Sequence, residues 1–237
     1  MRFIYEIVIN IFAIIYYIPK MSHYAKHPEK YTREQRYALV QRIIARVCKT
    51  GRITTEYSGA ENLPRSDGYI MFSNHQGRYD ALGIIAGHKR PCSMLIDARR
   101  YKIVLMKQAV DLLEGQSIDK ESARSQLEAL TNIARGVKAG KNYLVFPEGI
   151  YYKGQGNRTN EFKRGCFLTA MKAKCPIVPV TVVDSYKVFE QNSLMPVCTK
   201  VIYHEPIPYD KYKDMKAQDI AQMVRGIIDA ELAKHAA

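Results

Sequence analysis

The chain has 237 residues, of which 47% are hydrophobic and 25% charged, and this composition excludes a wholly disordered or fibrous protein. Lys and Arg number 36 against 23 Asp and Glu, so the formal net charge is +13, which points to an anionic partner such as nucleic acid, an acidic membrane surface or a phosphorylated substrate. The five cysteines show neither a CxxC motif nor paired histidine spacing, which favours a reducing compartment over a disulfide framework or a structural zinc site.

The amino-terminal segment is an apolar run from Phe3 to Ile18 that is interrupted by Glu6 and Asn10. A helix over this run reaches about 24 Å, which is short of the roughly 30 Å hydrocarbon core of a bilayer. No small-residue cleavage site follows it, which argues against a signal peptide. The run therefore favours an interfacial or partly inserted helix, with a spanning anchor and a packed core helix as alternatives.

A second helix is predicted to begin after Thr32, which forms a capping box with Gln35. Its apolar stripe runs from Tyr37 to Val47, while the segment from Arg33 to Arg52 carries six bases and a single acid. Two interpretations stay open. The bases form a solvated face over a core stripe, or residues 1–50 form a helical hairpin that rests on an anionic leaflet.

From Gly51 onward, short β-rich runs alternate with helical stretches, which is the pattern of an α/β domain. We expect a mixed central β-sheet flanked by helices over residues 51–237, preceded by the two-helix membrane-associating hairpin of residues 1–50. Prolines in the last strands, including Pro179, indicate sheet edges or bends. The predicted strands are Ile53–Tyr57, Tyr69–Ser73, Cys92–Ile96, Tyr143–Phe146, Ile177–Val182 and Lys200–Tyr203. The predicted helices are Ala81–Gly87, Glu121–Ala139, Gly165–Ala173 and Ala217–Lys234.

His75 and Asp80 follow the predicted strand that ends at Ser73, and in open α/β sheets ligands bind beyond such carboxyl ends. The pair converges if His75 lies on the loop and Asp80 in the first turn of the next helix, with Gly77 bending the chain between them. The aspartate then fixes the tautomer of the imidazole, whose other nitrogen is free to accept a proton. No GxSxG elbow is present, so the expected nucleophile is a substrate hydroxyl. Helix capping by Asp80 is the alternative interpretation.

Four segments occur together, in the order NHQGRYD (74–80), LVFPEG (144–149), FKRG (162–165) and CPIVPV (175–180). In this combination the sequence resembles the glycerolipid acyltransferase family that includes 1-acyl-sn-glycerol-3-phosphate acyltransferase, the PlsC family. The hallmarks of that family are NHxxxxD, FPEGTR and a proline-flanked VPV strand. The resemblance covers roughly residues 57 to 183.

The resemblance implies that His75 is the general base that deprotonates the acceptor hydroxyl and that Asp80 orients it. The alkoxide then attacks the thioester of acyl-CoA or acyl-acyl-carrier protein directly, without an acyl-enzyme. The acceptor implied by the family is the lysophospholipid 1-acyl-sn-glycerol-3-phosphate, and the product is phosphatidic acid. No metal and no bound cofactor are implied, because the thioester is a co-substrate. Backbone N–H groups around Gly77 are a suggested oxyanion site.

Acceptor binding is implied for Glu148 and Gly149, the EG pair of the family. The family's following Thr-Arg is Ile150-Tyr151 here, so its phosphate-binding arginine is missing and another base is expected to replace it. The favoured candidates are Arg99, Lys120 and Lys163, and Arg78 inside the first motif is a further one.

Alternative functions follow from the same features. The Ile150-Tyr151 departure also fits an acyltransferase for another lysolipid or for an acceptor that lacks phosphate. A non-catalytic basic protein that binds membranes or nucleic acid is the third interpretation, although no nucleic-acid-binding motif accompanies the charge, and we expect no nucleic-acid partner. The predicted location is the cytoplasmic face of the cell membrane, as a peripheral or monotopic protein.

Overall fold

A computed structural model describes residues 1–235, so the last two residues of the predicted domain lie outside the described part. Its centre is a seven-stranded β-sheet. The strands are β1 (Ile53–Ser58), β2 (Ile70–Ser73), β3 (Cys92–Asp97), β4 (Gln116–Ile118), β5 (Asn142–Val145), β6 (Ile177–Val183) and β7 (Val197–Tyr203).

The strand order across the sheet is β1-β7-β6-β2-β5-β3-β4. All neighbouring strands are parallel except β6 and β7, which are antiparallel. Every residue of β2, β5 and β6 is buried, as expected for strands that are covered on both faces. The sheet is therefore mixed and central, which confirms the predicted fold class.

Helices cover both faces of the sheet. The helices are α1 (Arg2–Ile9), α2 (Ile11–Lys26), α3 (Arg33–Thr50), α4 (Asp80–Gly87), α5 (Ala98–Tyr101), α6 (Met106–Leu112), α7 (Ala123–Lys138), α8 (Phe167–Ala173), α9 (Tyr186–Phe189), α10 (Tyr209–Tyr212) and α11 (Ala217–Ala233). One large core cluster joins α3, α4 and α6 to the sheet, and a second joins α7, α8 and α11 to it.

The apolar run of residues 3–18 is not one helix, because α1 and α2 meet at Asn10 at an angle of 76°. A buried polar cluster holds the bend: Asn10 Nδ2 and the Thr50 hydroxyl both donate to Glu6 Oε2, at 2.9 and 2.6 Å. Within residues 1–235 no unbroken helix has the length and hydropathy of a membrane span, and the bent pair α1 and α2 meets those criteria only when taken together.

Helix α3 begins with the predicted capping box between Thr32 and Gln35. Tyr37, Val40 and Ile44 are buried in the same core cluster as the strands, so α3 packs on the sheet, and Met21 of α2 is buried in that cluster too. Arg36 is buried as well, and its guanidinium pairs with Glu114. The domain boundary after residue 50 stays a prediction.

The strands depart from the predictions at two points. The sequence did not indicate β4, which is short and only partly buried. Of the two alternatives expected from Pro179, a sheet edge or a bend, the edge is wrong, because β6 lies between β7 and β2. The proline is tolerated because no β6–β7 hydrogen bond needs its missing N–H. Pro179 lies between the isolated bridge of Ile177 to Ile207 and the β6–β7 ladder, which begins at Val180. Its carbonyl still accepts from His204 N at 3.0 Å.

Candidate active site

The candidate site lies at the carboxyl ends of the parallel strands, where the loops after β2, β3, β4, β5 and β6 meet. The loop after β2 carries His75, and the loop after β5 carries Glu148. Because β2 and β5 are hydrogen-bonded neighbours, their carboxyl ends are adjacent. The sheet thus brings together two motifs that are 73 residues apart in sequence.

His75 and Asp80 form a direct hydrogen bond, with 2.6 Å between His75 Nδ1 and Asp80 Oδ2. The aspartate is the first residue of α4 and is fully buried, whereas the imidazole keeps 18% of its surface exposed. An ionised carboxylate only accepts, so Nδ1 carries the proton and Nε2 is left as the free base. The spacing of the two residues predicted this convergence.

Asp80 has three further donors that hold its carboxylate in place. The N–H groups of Gln76 and Gly77 donate to Oδ2 at 2.5 and 2.9 Å, and the buried Ser185 hydroxyl donates to Oδ1 at 2.5 Å. The two amides are thus engaged by the carboxylate, so the suggestion that the backbone at Gly77 forms an oxyanion site is wrong for these groups. Ser185, which follows β6, was missed because no motif marks it.

Glu148 is buried and braces the loops around the imidazole. Its Oε1 accepts from the backbone N–H of His75 at 2.7 Å, and its Oε2 accepts from the N–H and side-chain amide of Asn160 at 2.9 and 2.8 Å. Burial raises the pKa of this carboxyl above its ordinary value. The hydrogen bonds that it accepts lower the pKa, but by less. Both carboxylate oxygens therefore contact protein groups, which makes Glu148 a support of the His75 loop.

Aromatic rings surround the imidazole on two sides. Phe146 stacks on it with 4.4 Å between ring centroids, and Tyr151 meets it edge to face at 4.8 Å. Gly149 turns the chain between them with φ +74°, a value that an L-residue side chain disfavours. The turn thereby brings Tyr151, which stands where the family has arginine, against His75.

The predicted basic residues lie in different surroundings. Lys120 pairs with Asp97 at 2.7 Å and donates to the Gly149 carbonyl, which links the end of β3 to the loops after β4 and β5. The side chain of Lys163 packs over Gly149, with Nζ 3.3 Å from where a Cβ would stand. These two lie at the loop that carries Tyr151.

Arg78 and Arg99 are directed elsewhere. The Arg78 guanidinium lies over the ring of Phe3 in α1, 4.8 Å from its centroid, and 3.5 Å from Glu190. Arg99 is exposed and pairs with Glu121. Neither contact involves the imidazole or its aromatic neighbours.

The cysteines are poorly placed to be nucleophiles. Burial raises the pKa of Cys166 to about 11 and that of Cys92 to about 12, so the thiolate is scarce at neutral pH. Within residues 1–235 no group of three or more His, Cys, Asp or Glu side chains is arranged to bind a metal ion.

Known proteins are similar to this chain in fold and in sequence. The crystal structure of the 1-acyl-sn-glycerophosphate (LPA) acyltransferase, PlsC, from Thermotoga maritima superposes with a TM-score of 0.78 over 98% of this chain and 94% of that chain, at 19% identity. The family model described as Acyltransferase matches residues 54–183, more than half of the chain. The chain therefore belongs to the acyltransferase family.

Relatives named as 1-acyl-sn-glycerol-3-phosphate acyltransferases are similar over most of this chain. The chloroplastic protein of Brassica napus is 29% identical, over 65% of this chain and 45% of its own length. The alpha protein of Ovis aries is 30% identical, over 73% and 61%. A probable member from Mycoplasma pneumoniae is 24% identical, over 86% and 80%. The chain spans about half the length of the plant and algal relatives it matches.

Proposed function

We propose that this protein is an O-acyltransferase that moves a fatty acyl group from acyl-CoA or acyl-acyl-carrier protein to the free hydroxyl of the lysophospholipid 1-acyl-sn-glycerol-3-phosphate. The observation that carries the proposal is the 2.6 Å hydrogen bond between His75 and buried Asp80 at the carboxyl edge of the sheet. Membership of the acyltransferase family and the names of the relatives support the same chemistry.

In the proposed mechanism, His75 Nε2 takes the proton of the acceptor hydroxyl as its oxygen attacks the thioester carbonyl. Asp80 stabilises the imidazolium that forms. The tetrahedral intermediate then expels the thiolate, which receives the proton from the imidazolium, so the products are an ester and a free thiol. General-base catalysis of this kind contributes about 10²- to 10⁴-fold in rate.

The His75→Ala variant tests this role. We expect a folded protein whose turnover falls at least about a hundredfold, measured as thiol release from acyl-CoA with 1-acyl-sn-glycerol-3-phosphate as acceptor. His235→Ala is a matched control, because His235 follows α11 and contacts Glu231, away from His75. Near-normal acyl transfer by the His75 variant would remove the pair from the mechanism.

The position of Tyr151 favours a second candidate acceptor. Because the family's arginine is absent there, an acceptor without phosphate, such as a monoacylglycerol, or another lysolipid is the competing substrate class. A panel of lysolipids that share one acyl chain separates the two. The highest kcat/KM for the phosphate monoester supports the first assignment, and the highest value for a neutral acceptor supports the second.

We further propose that α1 and α2 bind a membrane surface, on the cytoplasmic face where the thioester donors occur. Large apolar side chains point outward from both helices: Ile4, Val8, Phe12 and Ile15 are 67%, 66%, 83% and 63% exposed. The polar cluster at Glu6 faces inward, so the outer surface is apolar. Exposed apolar patches of this kind are typical of an interaction surface.

Vesicle flotation tests the membrane surface. The Phe12→Asp/Ile15→Asp variant is preferable to deletion of residues 1–50, because α3 belongs to the core. We expect wild type to float with vesicles that contain phosphatidylglycerol and the variant to stay at the bottom of the gradient. Leu127→Asp, at a 67% exposed position on α7, is the control and should float. Equal flotation of all three proteins would place the membrane contact elsewhere.

A further inference from the structure

Arg100 stands beside the candidate site without a partner of its own. It follows β3 on the short helix α5, and its guanidinium carbon lies 5.2 Å from the ring centroid of Tyr151. The same ring meets the His75 imidazole at 4.8 Å, so one aromatic ring separates the guanidinium from the proposed base. Within residues 1–235 the Arg100 side chain has no hydrogen bond and no ion pair, and it is exposed.

Lys163, which packs over Gly149, has no ion pair within residues 1–235 either, but an ammonium lacks the planar fork of a guanidinium. Three other neighbouring bases differ from Arg100 because each has a carboxylate partner. Arg99 pairs with Glu121, Lys120 pairs with Asp97, and Arg78 pairs with Glu190. A base that already has a carboxylate partner must give up that contact, or share it, to bind an anion. Arg100 has its position set by an aromatic face and keeps all five of its N–H donors available.

We propose that Arg100, positioned by Tyr151, is the acceptor-phosphate ligand in this protein and replaces the arginine that the FPEG segment lacks. This inference rests on the proposed function for its substrate. A guanidinium binds a phosphate monoester through two parallel N–H···O bonds, which suits the head group of a lysophosphatidic acid. Tyr151 acts as a positioning residue, since its ring lies between the guanidinium and the imidazole and contacts both.

The kinetic test compares lysophosphatidic acid, which carries the phosphate, with monoacylglycerol, which lacks it. For Arg100→Gln we expect the KM for lysophosphatidic acid to rise about tenfold to a hundredfold, with kcat nearly unchanged and with no rise in the KM for monoacylglycerol. Tyr151→Leu should raise the KM for lysophosphatidic acid through loss of the supporting ring. Arg124→Gln is the control, because Arg124 is an exposed base on α7 that pairs only with Glu128.

A compensating substitution sharpens the test. Tyr151→Arg restores the family's residue, so the double variant Arg100→Gln/Tyr151→Arg should regain a KM near that of wild type. An unchanged KM for the phosphate acceptor in Arg100→Gln overturns the proposal. An equal rise in KM for both acceptors overturns it as well, because the residue would then act on the fold and not on the phosphate.

A binding measurement separates this inference from the proposed function. Equilibrium binding of lysophosphatidic acid in detergent micelles is measured for the His75→Ala protein with and without Arg100→Gln, so no turnover is needed. We expect the second substitution to weaken binding about tenfold or more. If wild type shows no acyl transfer but binding depends on Arg100, the proposed activity fails and the phosphate site stands. If binding does not depend on Arg100, the phosphate site fails whatever the activity.

Discussion

Replacing Asp80 by Asn removes the charge beneath His75 while it keeps the shape of the side chain. Three N–H groups point at Oδ2, from the imidazole and from two backbone amides, and the Ser185 hydroxyl points at Oδ1. An asparagine fits here with its oxygen toward the N–H groups and its amide nitrogen toward Ser185, whose hydroxyl rotates to accept. We therefore expect Asp80→Asn to fold with the same imidazole tautomer.

The magnitude of the effect follows from the distance. The carboxylate oxygen lies 2.6 Å from His75 Nδ1, which puts the centres of the two charged groups about 4 Å apart in the imidazolium state. At that separation two unit charges attract by about 4 kcal/mol at an effective dielectric constant of about 20. A tenfold change in rate corresponds to about 1.4 kcal/mol, so we expect kcat to fall about a thousandfold. The KM for the acceptor should change little, since Asp80 is buried and does not reach the substrate.

Thiol release from acyl-CoA under saturating acceptor measures this loss, and the melting temperature shows that the variant is folded. Asp214→Asn is the matched control, because Asp214 is an exposed aspartate in the loop before α11. If Asp80→Asn keeps more than about a tenth of the turnover, the imidazolium does not depend on the carboxylate and the reasoning is refuted.

Three further changes give distinct readouts. Ser185→Ala removes the hydroxyl donor of Asp80 Oδ1, so kcat should fall about tenfold, whereas Ser185→Thr should retain more of it; equal rates would contradict the positioning role. Burial lowers the pKa of His88 from 6.5 to about 4, so the unfolded state takes up the proton first. The stability contributed by neutral His88 is therefore fully present above pH 6.5 and should decrease by about 3 kcal/mol as the pH drops toward 4. In urea unfolding, His88→Gln should remove this part of the pH dependence. Thr32→Ala breaks the capping box with Gln35 and should cost about 1 kcal/mol in the same assay; a loss below about 0.3 kcal/mol would contradict this.

The architecture could be predicted because the buried strands are continuous apolar runs separated by helical patterns. The bend at Asn10 and strand β4 were not predicted, and each has a physical reason. Glu6 and Asn10 mark an interruption of the apolar run, but the bend also depends on Thr50, a partner 40 residues from Asn10, which the local sequence does not indicate. Strand β4 is three residues long and half exposed, so it lacks both the length and the alternation that identify a strand.

The candidate site was only partly predictable for the same reason. The spacing of His75 and Asp80 indicates convergence by itself, because both lie within one strand–loop–helix unit. Ser185 is 105 residues from Asp80, and a lone serine carries no pattern. The proposed role of Arg100 could not be predicted because it depends on contact with the Tyr151 ring. From the sequence, Tyr151 in place of the family's arginine indicated only that a phosphate ligand was missing.

The bend at Asn10 also has a kinetic consequence. Because Glu6 and Thr50 fix that angle from within, the outward apolar surface of α1 and α2 keeps one orientation relative to His75. If α1 and α2 bind the membrane surface as proposed, the lipid acceptor reaches His75 by lateral diffusion in the plane of the membrane. Reaction velocity should then follow the mole fraction of acceptor in the lipid phase, and dilution with an inert lipid should slow the enzyme at constant bulk concentration.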